Sequence, residues 1–206
     1  MAYFPEDEIG TVTKEAVAAR LKFFAFDSDG CLFPNTVWEG VTVEVGGKDV
    51  GFNPKVRSYY DGQDMSLIRA IGLRVCVITN EKDANATGVR HVVEKWNNLP
   101  SSKNGTWPIV ELFEGCGGRR KLETLSAWLI KHGGALSECG AMGDDLVDVP
   151  MLQQVAFRAA PSSAEELVRN ICHFVSTRPG GEGAVRDLAN FLVKVRGLNP
   201  FDLPFD

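Results

Sequence analysis

Cysteine and histidine are scarce in this chain, five and three among 206 residues. Cys31, Cys76, Cys116, Cys139 and Cys172 stand singly, with no C-x-x-C pair, and an odd number cannot all pair within one chain. That argues against a redox motif and for a reducing, cytoplasmic setting, with Cys76, Cys139 and Cys172 read as core residues. Positive charge is also short: 22 Lys and Arg face 27 Asp and Glu, a formal charge of −5. No basic field exists to hold a nucleic-acid backbone. No apolar run approaches the roughly 18 residues that a membrane span needs. The opening MAYFPEDEIG lacks the basic and apolar regions of a secretion signal. The expectation is one globular domain over residues 1–206, with neither membrane nor nucleic acid as partner.

What is present is an alternation of short apolar runs and amphipathic stretches. Lys22 to Phe26 is continuously apolar after its lysine and stops at Asp27-Ser28-Asp29-Gly30, which reads as a strand buried on both faces, then a loop. Gly46-Gly47 between two alternating segments predicts a projecting hairpin over about 41–52. Lys14–Leu21 is a short amphipathic stretch, and helix is expected over Asp61–Ala70, Ala84–Trp96, Arg119–His132, Val149–Val155, Ala164–Asn170 and Glu182–Val195, the fifth opened by a Ser162-x-x-Glu165 capping box. Between them, Leu73–Ile78, Ile109–Phe113, Cys139–Met142, Phe157–Ala159 and His173–Ser176 read as strands. This order implies an α/β fold with a doubly wound, mostly parallel sheet, whose ligands lie beyond the carboxyl ends of the strands.

Those strand ends carry Asp27-Ser28-Asp29-Gly30, Thr79-Asn80 and Gly143-Asp144-Asp145, with Asp148 a turn further on, while Arg119-Arg120-Lys121 opens a helix nearby. Carboxylates crowded at one edge need a cation, and an all-oxygen donor set suits Mg²⁺. A magnesium ion, a lysine and a hydroxyl around an aspartate form a receptor for a phosphate dianion with a carboxylate poised to attack phosphorus. Each feature has a blander reading. Asp-Gly is first a turn signal, Lys121 belongs to a basic triplet that water alone can satisfy, and Asp145 and Asp148 can serve as helix caps. His91 lacks the spacing of a zinc helix, and Trp38, Trp96, Trp107 and Trp128 are too dispersed for a base-stacking platform.

Taken together and in order, Asp27-Ser28-Asp29-Gly30, Val77-Ile78-Thr79-Asn80, Lys121 and Gly143-Asp144-Asp145-Leu146-Val147-Asp148 resemble the four motifs of the haloacid dehalogenase-like hydrolases. The hairpin, Tyr60-Asp61-Gly62 and Pro179-Gly180-Gly181-Glu182-Gly183-Ala184-Val185-Arg186 are similar to the branch without a large cap, which includes phosphatases of sugar-acid phosphates. The resemblance implies that Asp27 is the nucleophile and Asp29 the general acid and base. It implies that Asp27, the Asp29 carbonyl and Asp144 hold Mg²⁺, with Asp145 behind them and Asp148 steadying Lys121. Thr79 and Asn80 would grip phosphoryl oxygens. It further implies a homotetramer joined through hairpins, with the segment from about 178 to 206 reaching a neighbouring site from a flexible Gly-Gly hinge.

The function expected is a Mg²⁺-dependent phosphatase acting on a small phosphorylated metabolite, such as a sugar or sugar-acid phosphate. The alternatives are a catalytically weak oligomerisation or regulatory module, and a phosphomutase, which needs a cap to exclude water. Five features depart from the branch: Phe33-Pro34 for Thr-Asp, Tyr60 for arginine, Asp64 for a small residue, Glu182, and a longer connection from Asn97 to Pro108. The first two leave fewer cations for a carboxylate at these positions.

Overall fold

The structure, a computed structural model, describes residues 13–38, 41–51 and 54–203. The opening decapeptide and the hairpin's last expected residue, Phe52, lie outside them. In chain order the elements are α1 (Lys14–Ala19), β1 (Phe23–Phe26), β2 (Thr42–Val45), β3 (Lys48–Gly51), α2 (Tyr59–Ala70), β4 (Arg74–Ile78), α3 (Thr87–Asn97), α4 (Pro100–Lys103) and β5 (Glu111–Phe113). There follow α5 (Arg119–Lys131), β6 (Cys139–Met142), α6 (Val149–Leu152), β7 (Phe157–Ala160), α7 (Glu166–Ile171), β8 (Phe174–Val175) and α8 (Ala184–Val195).

Six strands form one sheet in the order β5-β4-β1-β6-β7-β8, every pair parallel. Strand β1 sits centrally, and the chain runs outward from it first through β4 and later through β6. The strand order therefore reverses at β1, and a crevice opens at its carboxyl end. Successive side chains point to opposite faces. Phe24, Phe26, Val75, Val77 and Met142 pack under α1, α2, α3 and α8, while Phe23, Ala25, Cys76, Ile78 and Ala141 pack under α5, α6 and α7. Continuous apolar runs are what a sheet covered on both faces requires. Cys76 and Cys139 are wholly buried free thiols in this core, as expected.

The hairpin β2–β3 stands apart as a two-stranded antiparallel sheet, turning at Gly46 and Gly47, whose φ of +60° and +76° suit a tight primed turn. Among the described residues it is the one excursion of sheet outside the main fold, and no cap domain accompanies it. Among them, too, no helix is long and apolar enough to cross a membrane.

Several boundaries differ from the sequence pattern for physical reasons. The α2 helix starts two residues early because the Ser58 hydroxyl accepts a bond from Tyr60 N. The expected box at Ser162 does not form: Glu165 is itself the N-cap of α7, and its N–H donates to the Asp144 carbonyl at 2.8 Å. A capping box forms instead between Asp145 and Asp148. The α6 helix ends at Leu152 rather than Val155. The connection from Asn97 to Pro108 contains α4 and is fastened by the buried Arg69, which donates to the Trp96 and Pro108 carbonyls and to the Ser102 hydroxyl. Finally, Gly180 and Gly181 are not a flexible hinge. Both are buried, Gly181 N donates to Cys31 O at 2.9 Å, and Ser58 N donates to Gly181 O at 2.7 Å. This corner belongs to the wall of the nucleophile loop in its own chain.

Candidate active site

The crevice at the end of β1 gathers the predicted residues. Asp27 leaves β1, Thr79 and Asn80 leave β4, Asp144 leaves β6, and Lys121 comes from the first turn of α5. All of them, with Asp29 and Asp145, line one cleft of about 240 Å³. Lys121 is 1% exposed, and its Nζ lies 2.5 Å from Asp27 Oδ1 and 2.6 Å from Asp148 Oδ1. Arg119 and Arg120 point to solvent, so the triplet divides into two surface cations and one buried one. The other oxygen of Asp148 accepts from Asp144 N at 3.1 Å and Asp145 N at 3.3 Å. Asp148 thus both steadies Lys121 and caps the turn, and the Asp145 carboxylate is occupied in that cap by Leu146 N.

Burial, then the neighbouring Asp148, pushes the Asp27 carboxyl well above the usual carboxylate range, against the pull of Lys121. Asp144 is raised to about 7 by burial and by Asp148 and Asp145. Burial works against the Lys121 charge, yet Asp27 and Asp148 outweigh it and hold the ammonium firmly protonated. Two raised carboxyls facing one another are the signature of a place that favours an added cation. The backbone leaves room for it to form: a Cβ on Gly30 would stand 1.8 Å from Asp144 Oδ2, so only glycine lets the loop pass this carboxylate. Ligand atoms of Asp27, Cys31 and Asp144 lie within 4.8 Å of one another. Burial and the same carboxylates push the Cys31 thiol up, which leaves the carboxylates as donors for a hard divalent ion.

A family model for haloacid dehalogenase-like hydrolase matches residues 2–186. The chain belongs to that family. Among curated proteins it is similar to the 3-deoxy-D-manno-octulosonate 8-phosphate phosphatases of Yersinia pestis, 28% identical over 85% of this chain and 81% of that protein, and of Escherichia coli K12, 25% identical over 88% and 84%. Among solved structures it resembles the phosphatase of the same name from Moraxella catarrhalis in complex with magnesium ion, phosphate ion and a KDO molecule. That likeness has a TM-score of 0.70, with 25% identity, over 92% of this chain and 94% of that one.

Three site residues of this hydrolase carry no sequence signal. Lys55, just after the hairpin, bonds Asp29 Oδ1 and lies 2.9 Å from Glu81 Oε2, with only 6% of its side chain exposed. Glu81 and Asn35 also line the cleft, and Asn35 Nδ2 donates to Asp144 Oδ2 at 3.2 Å. Lys55 in turn borders a second pocket of about 370 Å³, floored by Phe33 and Val92 and ringed by Arg57, His91 and Lys95. The departures at Phe33 and Tyr60 therefore leave cations nearby: Arg57 and Lys95, which no motif marks, border this pocket, while the charge of Lys55 is taken up by Asp29 and Glu81. His91, expected at the surface or in packing, is exposed on α3 and joins that rim. Asp61, within the Tyr60-Asp61-Gly62 motif, plays a structural part, accepting from Gly183 N at 2.9 Å and Val185 N at 3.1 Å at the start of α8.

Proposed function

We propose that this hydrolase is a Mg²⁺-dependent phosphatase of a small phosphomonoester, of the sugar or sugar-acid phosphate class, working through an aspartyl-phosphate on Asp27. The observation that carries the reading is the buried Asp27 carboxylate held at 2.5 Å by Lys121, with Asp29 and Asp144 in the same cleft. Asp27 attacks phosphorus as the bond to the leaving oxygen breaks, and Asp29 supplies that oxygen with a proton. Water then attacks the phosphorus of the aspartyl-phosphate, Asp29 takes its proton, and the Asp27 carboxylate departs. Lys121, Thr79 and the Asn80 N–H serve the phosphoryl oxygens, where charge is spread in the transition state. Asp27, Asp144 and the Asp29 carbonyl would hold Mg²⁺, which supplies neutralisation of the phosphoryl charge.

The relatives support phosphate-ester chemistry, since those named above are phosphatases of an acidic sugar phosphate. The cation-rimmed pocket beside the cleft supports a substrate whose body carries a second anionic group. Phosphate release from a panel of sugar, sugar-acid and nucleotide monophosphates tests the reading. Selective turnover is expected with Mg²⁺, none with excess chelator and none from Asp27→Asn. A folded, Mg²⁺-binding chain that hydrolyses no member would replace the reading with a binding or regulatory module. We further infer a cytoplasmic homotetramer; five free thiols support the first term and an uncovered hairpin the second.

A further inference from the structure

Lys121 ties Asp27 to Asp148, while the Asp29 carboxylate is held by a different cation, Lys55. This lysine is itself unusually confined for a cation near a cleft mouth. Its ammonium is shared with Glu81 at 2.9 Å and lies 5.8 Å from the centre of the Phe33 ring. Its stem runs against Gly88 of α3, where an added Cβ would stand 2.5 Å from Lys55 Cγ. Burial alone would weaken the ammonium, but its bonds to Asp29 and Glu81 more than offset this. Four separate pieces of chain, the nucleophile loop, the segment before α2, the end of β4 and the first turn of α3, thus converge to fix one carboxylate.

We propose that Lys55 is the positioning residue for Asp29, aiming its carboxylate at the water that hydrolyses the aspartyl-phosphate. The proposal rests on the phosphatase reading above. A proton acceptor is effective only within hydrogen-bond reach of its proton, and an aspartate at a loop turn has two free side-chain torsions unless something pins it. Glu81 alone would repel Asp29. The ammonium between them converts that repulsion into a fixed three-group bridge, so Phe33, a departure from the branch pattern, has a use as the surface on which the lysine rests.

The test uses the full chain with Mg²⁺ and p-nitrophenyl phosphate, whose leaving group departs without needing a proton. Lys55→Met keeps the stem against Gly88 and removes the charge. It should form the aspartyl-phosphate normally, seen as a burst of nitrophenolate near one per site, and then turn over about ten- to a hundredfold more slowly than wild type. Its kcat/KM on this ester should stay within about threefold of wild type, whereas on an alkyl phosphate, whose departure needs Asp29 as acid, it should fall. Gly88→Ala, which pushes on the stem while every charge remains, should show the same split in a protein that still folds, as its far-ultraviolet circular dichroism checks. The proposal is overturned if Lys55→Met turns over within twofold of wild type, or if burst and turnover are lost together in a folded protein. It also falls if the wild type releases phosphate from no ester, an outcome that removes the phosphatase reading with it.

Discussion

Lys121 is the side chain on which most of the site converges, a buried cation at the opening of a helix, where the helix dipole disfavours positive charge. It stays there because two carboxylates face it, and removing it strands both. Lys121→Met should lower kcat by about 10²–10³, the loss found on deleting one strong donor to a transition-state oxyanion, and should lower the melting temperature as well. Retained turnover would move the phosphoryl-stabilising role elsewhere. Asp64 permits a prediction with a definite sign. It is wholly buried on α2 with Arg186 Nε 2.7 Å away, and burial raises its carboxyl to about 7 despite that partner. Between roughly pH 4 and 7 the folded chain therefore holds a proton that the unfolded chain has lost, so this group's contribution to stability declines as pH rises through that window and is flat above it. Asp64→Asn cannot ionise, and its melting temperature should rise relative to wild type from pH 5 to pH 8, by the equivalent of on the order of 2–4 kcal/mol. A constant difference across that range would sink the assignment. Residues such as Asp27, Asp144 and Lys121 were legible because strand ends and motif order select them. Lys55, Arg57 and Glu81 were not, because what makes them matter is convergence in space from segments with no local pattern.

Among the elements, the strands were the most readable, since a sheet covered on both faces demands uninterrupted apolar runs such as Phe23–Phe26 and Val75–Ile78. Helix beginnings were less so, and the reason lies in distant partners. The α8 helix starts at Ala184 because a carboxylate from α2, Asp61, accepts the N–H groups of Gly183 and Val185. A cap supplied 122 residues away leaves no mark beside the helix it caps. The Gly180-Gly181 corner, which sequence alone presents as a flexible hinge, is likewise held by distant partners, Gly181 N donating to Cys31 O and Gly181 O accepting from Ser58 N. Glycine is needed there for closeness: a Cβ on Gly180 would stand 1.6 Å from the Gly30 carbonyl oxygen, backbone against backbone, with no side chain able to yield. Gly180→Ala should accordingly cost several kcal/mol in stability, at the upper end of overpacking penalties, and displace the loop bearing Asp27 and Asp29. Gly47→Ala provides the comparison, because its Cβ meets nothing within 4 Å and only a positive φ of +76° opposes it, a penalty of about 1–2 kcal/mol. Equal melting temperatures for the two variants would show that the corner is looser than its contacts require.

For the molecule as a whole, the hairpin is the feature that one chain leaves unexplained. All positions of β2 and β3 are exposed, and an isolated two-stranded sheet is marginal in water. Its register sets Val43 opposite Val50, Val45 opposite Lys48 and Glu44 opposite Asp49, so one face carries Val43, Val45 and Val50 at 43%, 60% and 43% exposure with Lys48 at its turn end, while the other is acidic. On the tetrameric reading proposed above, this face is where a second copy would pack, and bringing the valines of several hairpins together would bury them while the carboxylates stay in water. The tetrameric reading predicts a species of about 90 kDa from a 22.5 kDa chain by sedimentation velocity. The double variant Val43→Lys, Val50→Lys should shift it to smaller species at the same concentration, because like charges would then meet at the shared face. Asp27, Asp29, Lys121 and Asp144 all come from one chain, so the dissociated variant should still hydrolyse p-nitrophenyl phosphate at a rate within severalfold of wild type. A wild-type chain that sediments as a monomer would remove the hairpin's assembly role, and a dissociated variant without turnover would show that a neighbouring chain completes the site.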